Sequence, residues 1–301
     1  MKVCVTGSAG RLAAVLLPKL CAHSAVEKVR GVDLLGSAFT HPKFEQCRIG
    51  IADDGFELCD CDALVHLAFT LLRGRMSARR MHRCNVQSSM RLFEKACGAR
   101  VARIVHLSSA AVYGHGTHLT ETAALNPLPD FLYAAHKVEL EKHLAQTLPQ
   151  ALVLRPHVIL GPHAQPQLKQ LLRMPFYLRL PDPQPQLQCV HEDDVAQAVI
   201  LGLFSGVSGA VNLAAADTFS VRDVIRGHHP HAVGLAPRLA QGLLTAAWAI
   251  SGWGGEPAWV TGITRGLTLN CDRAAARLNW IARYSSRQSV EHALAAVTKT
   301  N

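Results

Sequence analysis

Short apolar runs closed by polar or glycine-rich turns alternate with longer stretches whose apolar positions recur at helical spacing. Val3–Thr6 predicts a first strand and Arg11–His23 a helix. Val29–Val32 predicts a second strand ending at Asp33, Cys47–Ala52 a third and Ala63–Ala68 a fourth, followed by a helical region over Asn85–Cys97. Ile104–Leu107 predicts a fifth strand, Phe131–Leu148 a long helix, and Leu152–Leu154 a sixth strand closed by Arg155-Pro156. Strands that alternate with helices pair in parallel through βαβ crossovers. Continuous apolar strands such as Ile104-Val105-His106-Leu107 suit a sheet covered on both faces. The expected fold is α/β, a doubly wound parallel sheet of the Rossmann type.

After Pro156 the texture changes. Pro162 to Pro185 is rich in Pro, Gln and Leu, with one short helix predicted over Leu168–Met174. Val190–Phe204 predicts a helix and Ala210–Leu213 one more strand. From Asp217 onward the pattern is helical and irregular. Residues 1–155 and 190–216 are therefore expected to form the dinucleotide-binding sheet. Residues 156–189 and 217–301 are expected to form a smaller, sequence-interleaved substrate lobe. Leu235 to Trp253 is apolar and tryptophan-bearing. It is expected to be a core helix of that lobe, with a greasy substrate wall or a membrane-touching surface as the alternative.

Composition narrows the class. The chain has 301 residues, 49% of them hydrophobic, enough for one large α/β unit with a smaller lobe. The chain runs straight into the first strand with no secretory leader pattern, which points to the cytoplasm. Its nine cysteines are scattered, several in apolar runs (Cys4, Cys97, Cys189), as suits free buried thiols in a reducing compartment. Cys59-Asp60-Cys61 has no second pair at zinc-like spacing, and His228-His229-Pro230-His231 has no carboxylate or cysteine beside it; no metal site is expected. The longest uninterrupted apolar stretch, Leu243–Ile250, is far short of the roughly 20 residues a membrane span needs. The net charge of +9 gathers partly at Arg73, Arg75, Arg79, Arg80, Arg83 and Arg91. These form a solvated helix face or steer an anionic cofactor or substrate. No nucleic-acid module accompanies them.

Three motifs carry chemistry. Gly7-Ser8-Ala9-Gly10 lies between a strand and a helix. Gly7 permits a tight turn, and Gly10 lets backbone N–H groups approach a pyrophosphate at the helix N-terminus. Ala13 stands where a third glycine is usual. Asp33, at the end of the second strand, can bind both ribose hydroxyls and repels a 2′-phosphate, which favours NAD over NADP; Arg11 could reach a phosphate and complicates that preference. Tyr133 and Lys137 are i and i+4 on a helix and share a face. A lysine ammonium there is expected to lower the phenol pKa, and the Ser108-Ser109 pair at a strand end offers a hydroxyl to orient the substrate oxygen. His115 and His118 follow in a loop that should border the substrate.

These residues resemble the extended short-chain dehydrogenase/reductase family, the NAD-dependent epimerase/dehydratase group. The likeness rests on Thr6-Gly7-x-x-Gly10, His66-Leu67-Ala68, Asn85, Ser108-Ser109-Ala110-Ala111-Val112-Tyr113-Gly114, Tyr133-x-x-x-Lys137, Arg155-Pro156 and Val190-His191-Glu192-Asp193-Asp194-Val195-Ala196. It ends in Leu278-Asn279-Trp280 with Tyr284-Ser285. The resemblance implies Ser109, Tyr133 and Lys137 as catalytic residues. For the cofactor it implies Gly7, Ala9, Gly10, Arg11, Leu12, Asp33, Ile51, Leu67, Ala68, Phe69, Asn85, Ser108, Tyr133, Lys137, Pro156 and Val158. It also implies a homodimer formed through a four-helix bundle of Ala78–Cys97 and Phe131–Leu148. Departures are Gly50 where an acid near adenine is usual, Ala134 for glycine, His136 for serine, and His157 for the asparagine that contacts sugar nucleotides. The expected activity is hydride transfer between a nicotinamide and a secondary alcohol or ketone, with Tyr133 as acid/base. A nucleotide-sugar 4-epimerase or dehydratase and a non-catalytic dinucleotide sensor are the alternatives.

Overall fold

The computed structural model describes residues 1–58, 60–71, 76–251 and 258–295. Cys59, Arg73, Arg75 and Trp253, named above, lie outside the described residues. The strands in chain order are β1 (Lys2–Thr6), β2 (Lys28–Asp33), β3 (Phe44–Arg48), β4 (Ala63–His66), β5 (Arg103–Leu107), β6 (Gly116–Leu119), β7 (Leu152–Pro156), β8 (Val158–Leu160), β9 (Phe176–Leu178), β10 (Cys189–His191), β11 (Gly209–Leu213), β12 (Val233–Leu235) and β13 (Leu267–Leu269). The helices are α1 (Arg11–Ala22), α2 (Ala78–His82), α3 (Ser88–Gly98), α4 (Leu132–Thr147), α5 (Pro166–Arg173), α6 (Glu192–Leu203), α7 (Val221–His228), α8 (Pro237–Ser251), α9 (Ala258–Arg265), α10 (Asp272–Leu278) and α11 (Ser286–Ala295). A π-type turn, Arg83–Gln87, joins α2 to α3.

Seven strands form one parallel sheet in the order β11-β7-β5-β4-β1-β2-β3. The chain winds outward from β1 to β3, then returns to β4 and winds the other way. The reversal opens a crevice at the C-terminal ends of β1 and β4, where such sheets bind ligands. Parallel pairs β10–β8, β12–β9 and β13–β6 lie outside the sheet.

Strand alternation builds both layers of core. Val3, Val5, Val105, Leu152 and Leu154 pack with Leu16, Leu17 and Leu20 of α1 and Val195 and Val199 of α6. Cys4, Leu64, Ile104 and Val153 face the other way, onto Leu92 and Phe93 of α3 and Leu140 and Leu144 of α4. Each such fully buried apolar side chain contributes about 1.5–3 kcal/mol. The C-terminal segment is tied down by polar contacts. Trp280 Nε1–H donates to the Asp194 carbonyl at 2.9 Å, and the Asp194 carboxylate accepts from the Arg283 and Tyr284 N–H groups at 3.1 Å.

The structure differs from the sequence expectation at several places. The third strand is Phe44–Arg48, not Cys47–Ala52. β2 takes up that register from Val29–Phe44 to Asp33–Arg48, while Ile49 and Ile51 pack on the core from the loop beyond it. Helix begins at Ala78, well before Asn85. The run from Val190 splits into β10 and α6, because Cys189–His191 pairs with β8 and the acidic residues Glu192, Asp193 and Asp194 open the helix. Cys97 is exposed, unlike Cys4 and Cys189. The apolar run from Leu235 forms α8, but Leu239 and Leu243 of this helix are exposed, so it is not a core helix.

Beneath the crevice a buried ion pair joins α4 to the sheet. Arg155 on β7 meets Glu141 on α4 through Nη2–Oε2 at 2.5 Å and Nε at 3.1 Å from both oxygens. Ser108 donates to Glu141 Oε1. Arg155 Nη1 donates to the Tyr113 phenol oxygen at 2.6 Å, and that phenol donates to Asn212 Oδ1 on β11 at 2.8 Å. Removing one partner strands a buried charge, so Glu141→Ala is expected to lose about 3–5 kcal/mol in urea unfolding. A loss below about 1 kcal/mol would show that the pair carries no such weight.

Candidate active site

β1 ends at Thr6, and Gly7 turns the chain with φ +73°. A Cβ on Gly7 would lie 2.7 Å from the Ala68 nitrogen, so only glycine lets the two loops close. Gly10 N–H donates to the Gly7 carbonyl at 2.9 Å, completing the turn. Gly10 then N-caps α1 without a side-chain bond, leaving the first N–H groups of the helix open to an anion. Ala13 is fully buried, so its methyl is accommodated where a glycine is usual. Arg11 is exposed beside this turn and Leu12 packs on the core. The Asp33 carboxylate is held at the end of β2 by Ala9 N–H at 3.1 Å and Leu35 N–H at 2.9 Å. Gly loop, open helix N-terminus and fixed acid together fit the pyrophosphate and ribose of a dinucleotide. At the Gly50 departure, Gly50 N–H donates to Asp53 Oδ2 at 2.8 Å.

The loop after β4 is braced from below. Ser89 donates to the Asn85 carbonyl at 2.6 Å, so it accepts from His66 Nε2–H at 2.8 Å. His66 Nδ1 therefore accepts from the Thr6 hydroxyl at 2.7 Å, and Thr6 Oγ1 accepts from Ala68 N–H at 3.4 Å. Burial, then the charge of Lys137, holds the His66 pKa down to about 3, and the ring stays neutral. Asn85 clasps Thr70 in both directions, Nδ2–H to the carbonyl at 2.9 Å and Oδ1 from the N–H at 2.8 Å. This fixes Leu67, Ala68 and Phe69 at the crevice. Thr6 and Ser89 were not singled out from the sequence, where nothing distinguishes them from other small polar residues.

Tyr133 and Lys137 stand one turn apart on α4, and Glu141 extends the same face by another turn. The Ser109 hydroxyl accepts from Ala111 N–H at 3.2 Å, capping a 3₁₀ turn (Ala110–Tyr113), and lies within hydrogen-bonding reach of the Tyr133 phenol. Ser109 and Tyr133 thus lie side by side, with Lys137 Nζ 5.8 Å from the centre of the Tyr133 ring. Ser108 is turned down to Glu141 instead. Lys137 Nζ donates to the Leu107 carbonyl at 2.5 Å and sits 3.6 Å from the centre of the Phe69 ring. Protonation runs against expectation. Burial pushes the Tyr133 phenol up to about 12 and Lys137 down to about 7. Desolvation outweighs the ammonium field, because Nζ is committed to Leu107 rather than to the phenol.

Tyr133 is walled by aromatic side chains. Phe69 meets it edge-on with centroids 5.5 Å apart and Phe131 lies at 5.6 Å. Ala258 and Trp259 of α9 pack on the same cluster. Phe131 and Trp259 were not foreseen, since nothing local in the sequence connects α9 to Tyr133. His157 faces away from this site: its Nε2–H donates to the Leu267 carbonyl at 3.1 Å and Nδ1 accepts from Val158 N–H at 2.8 Å. Burial brings its pKa down to about 4. Pro156 pairs with Leu213 at the end of β7, and Val158 is exposed. His118 is held by Thr268 and Asn270.

A family model described as the NAD dependent epimerase/dehydratase family matches residues 3–214. The chain belongs to that family. NAD is accordingly its cofactor and the protein is an enzyme of the NAD-dependent epimerase/dehydratase kind. It is 26% identical over 231 residues, 70% of this chain and 67% of the relative, to a 4-hydroxy-2-methyl-3-oxo-4-farnesyl-3,4-dihydroquinoline-1-oxide ketoreductase of Stigmatella aurantiaca. Its fold is similar to a UDP-glucuronic acid 4-epimerase from Bacillus cereus in complex with NAD (TM-score 0.73, 18% identity, 99% of each chain). It is also similar to an NAD-dependent NDP-hexosamine 5,6-dehydratase involved in tunicamycin biosynthesis (TM-score 0.76, 19% identity, 100% of this chain and 99% of the other).

Two outcomes follow from the geometry of this family member. With its fixed acid removed, Asp33→Ser is expected to lower the NAD-over-NADP preference at least about tenfold in titrations of the two cofactors. An unchanged ratio would remove Asp33 from ribose recognition. Lys137 has a folded pKa of about 7, well below a free lysine near 10.4. Between those values the unfolded chain binds a proton that the folded chain does not, so stability rises with pH across that window. Lys137→Met should flatten this rise between about pH 7 and 9.5 in urea unfolding.

Proposed function

We propose that this chain is an NAD-dependent reductase or dehydrogenase of an apolar ketone or secondary alcohol, with Ser109, Tyr133 and Lys137 as its catalytic residues. The observation that carries this reading is the largely apolar surround of Tyr133, where Phe69 and Phe131 lie against its ring and Trp259 packs on the same cluster. Ser109 and the Tyr133 phenol hold the substrate oxygen between them. With its pKa at about 12, Tyr133 carries its proton at neutral pH and is ready to give it to a carbonyl oxygen. When bound, NAD supplies the nicotinamide ring that takes or gives hydride and, oxidised, a positive charge. Lys137, fixed on Leu107, holds its amine 5.8 Å from the centre of the Tyr133 ring and would bind the nicotinamide ribose. Gly7, Ala9, Gly10, Arg11 and Leu12 would hold the pyrophosphate and Asp33 the ribose; Ile51, Leu67, Ala68, Asn85, Pro156 and Val158 would complete the cradle.

Residues 156–189 and 217–301 form the substrate-facing part in this proposal, and α9 supports it by bringing Trp259 to the wall. The ketoreductase of Stigmatella aurantiaca, whose named substrate is a farnesylated ring ketone, supports an apolar substrate for this chain too. A nucleotide-sugar epimerase is the weaker reading, because His157 is spent on Leu267 and Val158. Homodimerisation through α3 and α4, which pack side by side, belongs to the same proposal, as does a reducing cytoplasm, in line with the free thiols. Tyr133→Phe is expected to cut ketone-dependent NADH oxidation by about 10²–10⁴-fold while NAD still raises the melting temperature. Undiminished turnover would overturn the role of Tyr133. Turnover of UDP-glucose alongside inertness toward a panel of prenylated and polycyclic ketones would overturn the substrate class.

A further inference from the structure

Five of the ten large exposed apolar side chains among the described residues fall in two segments that adjoin in space, so the exposure is local. β9 and β12 pair in parallel with Phe176 and Val233 as register partners, 45% and 55% exposed, and Met174 just before β9 is 40% exposed. β12 leads directly into α8. There Leu239 and Leu243, 54% and 56% exposed, stand four residues apart on one helix face. α8 packs against α9, whose Trp259 lies on the apolar cluster that also receives Tyr133.

The charges around it are mostly positive. From Val224 to Gly255 the sequence contains no Asp or Glu, while Arg226 and Arg238 are exposed. Arg179, at the end of β9, is exposed as well. The flanking acids Asp182 and Asp223 both meet Arg222. A second copy of this face would set these cations against one another across a two-fold axis, which opposes self-association. An apolar ridge rimmed mainly by cations matches instead a surface with an apolar interior and anionic headgroups. None of the described helices is long and apolar enough to cross a membrane, so the contact is with the surface.

We propose that α8 and the β9–β12 pair dock this protein on an anionic lipid bilayer, with Leu239 and Leu243 entering the headgroup boundary. The inference does not depend on the substrate class argued above. The test sediments the full chain with vesicles of phosphatidylcholine alone or with about 30% phosphatidylglycerol. Binding is expected to the anionic vesicles only and to weaken as salt rises. Two double variants, Leu239→Ser with Leu243→Ser and Arg226→Glu with Arg238→Glu, should each lower partitioning at least about tenfold, with the NAD-induced thermal shift unchanged. Absence of binding at about 0.1 M salt, or equal binding to neutral vesicles, would overturn the proposal. So would a dimer in light scattering that the leucine variant dissociates, since that assigns the face to a second copy.

Discussion

One buried carboxylate and one buried guanidinium set the geometry on which the rest of the site depends. Glu141 and Arg155 are removed from water, so each must find its charge partner and hydrogen bonds at a fixed place. Arg155 rides on the rigid central sheet, and Glu141 lies two turns below Tyr133 on α4. The pair therefore fixes how far α4 can slide along β5 and β7. Ser108, Tyr113 and Asn212 fill the remaining bonds and carry the constraint to the Ser109 turn and to β11. A network of this kind holds its members to one arrangement, because any shift leaves a polar group unmet in a dry interior. The distance between Ser109 and Tyr133 is thus decided beneath the crevice.

The fold was legible where hydrophobic patterning alone decides an element. β1, β4 and β5 are buried on both faces and read as plain apolar runs. β3 was misplaced because it is an edge strand whose partly exposed residues carry a mixed pattern, and the more apolar Ile49–Ile51 run beyond it looked the better strand. The pairs β6–β13 and β9–β12 were invisible, since three or four residues with partners far along the chain leave no local period. α8 read as core by composition, and only the tertiary structure shows that Leu239 and Leu243 are exposed.

The site was legible to the same depth. Gly7, Gly10, Asp33, Ser109, Tyr133 and Lys137 stand at spacings that strand–turn–helix geometry makes meaningful. Glu141 was missed although it continues the Tyr133–Lys137 spacing, because an acid on a long helix ordinarily faces solvent. The direction of the Tyr133 and Lys137 shifts was misread for a related reason. Desolvation sums over every neighbour in three dimensions, whereas sequence reasoning could weigh only the ammonium one turn away.

The chain of bonds under the loop after β4 has a further consequence. From Ala68 N–H through Thr6, His66 and Ser89 to the Asn85 carbonyl, every donor points the same way. Its ends are an amide N–H and an amide oxygen, neither of which exchanges a proton readily near neutrality. The chain is a row of aligned dipoles and not a wire. The floor of the crevice is in that sense an insulator, and no proton passes through it from Ala68 to Asn85.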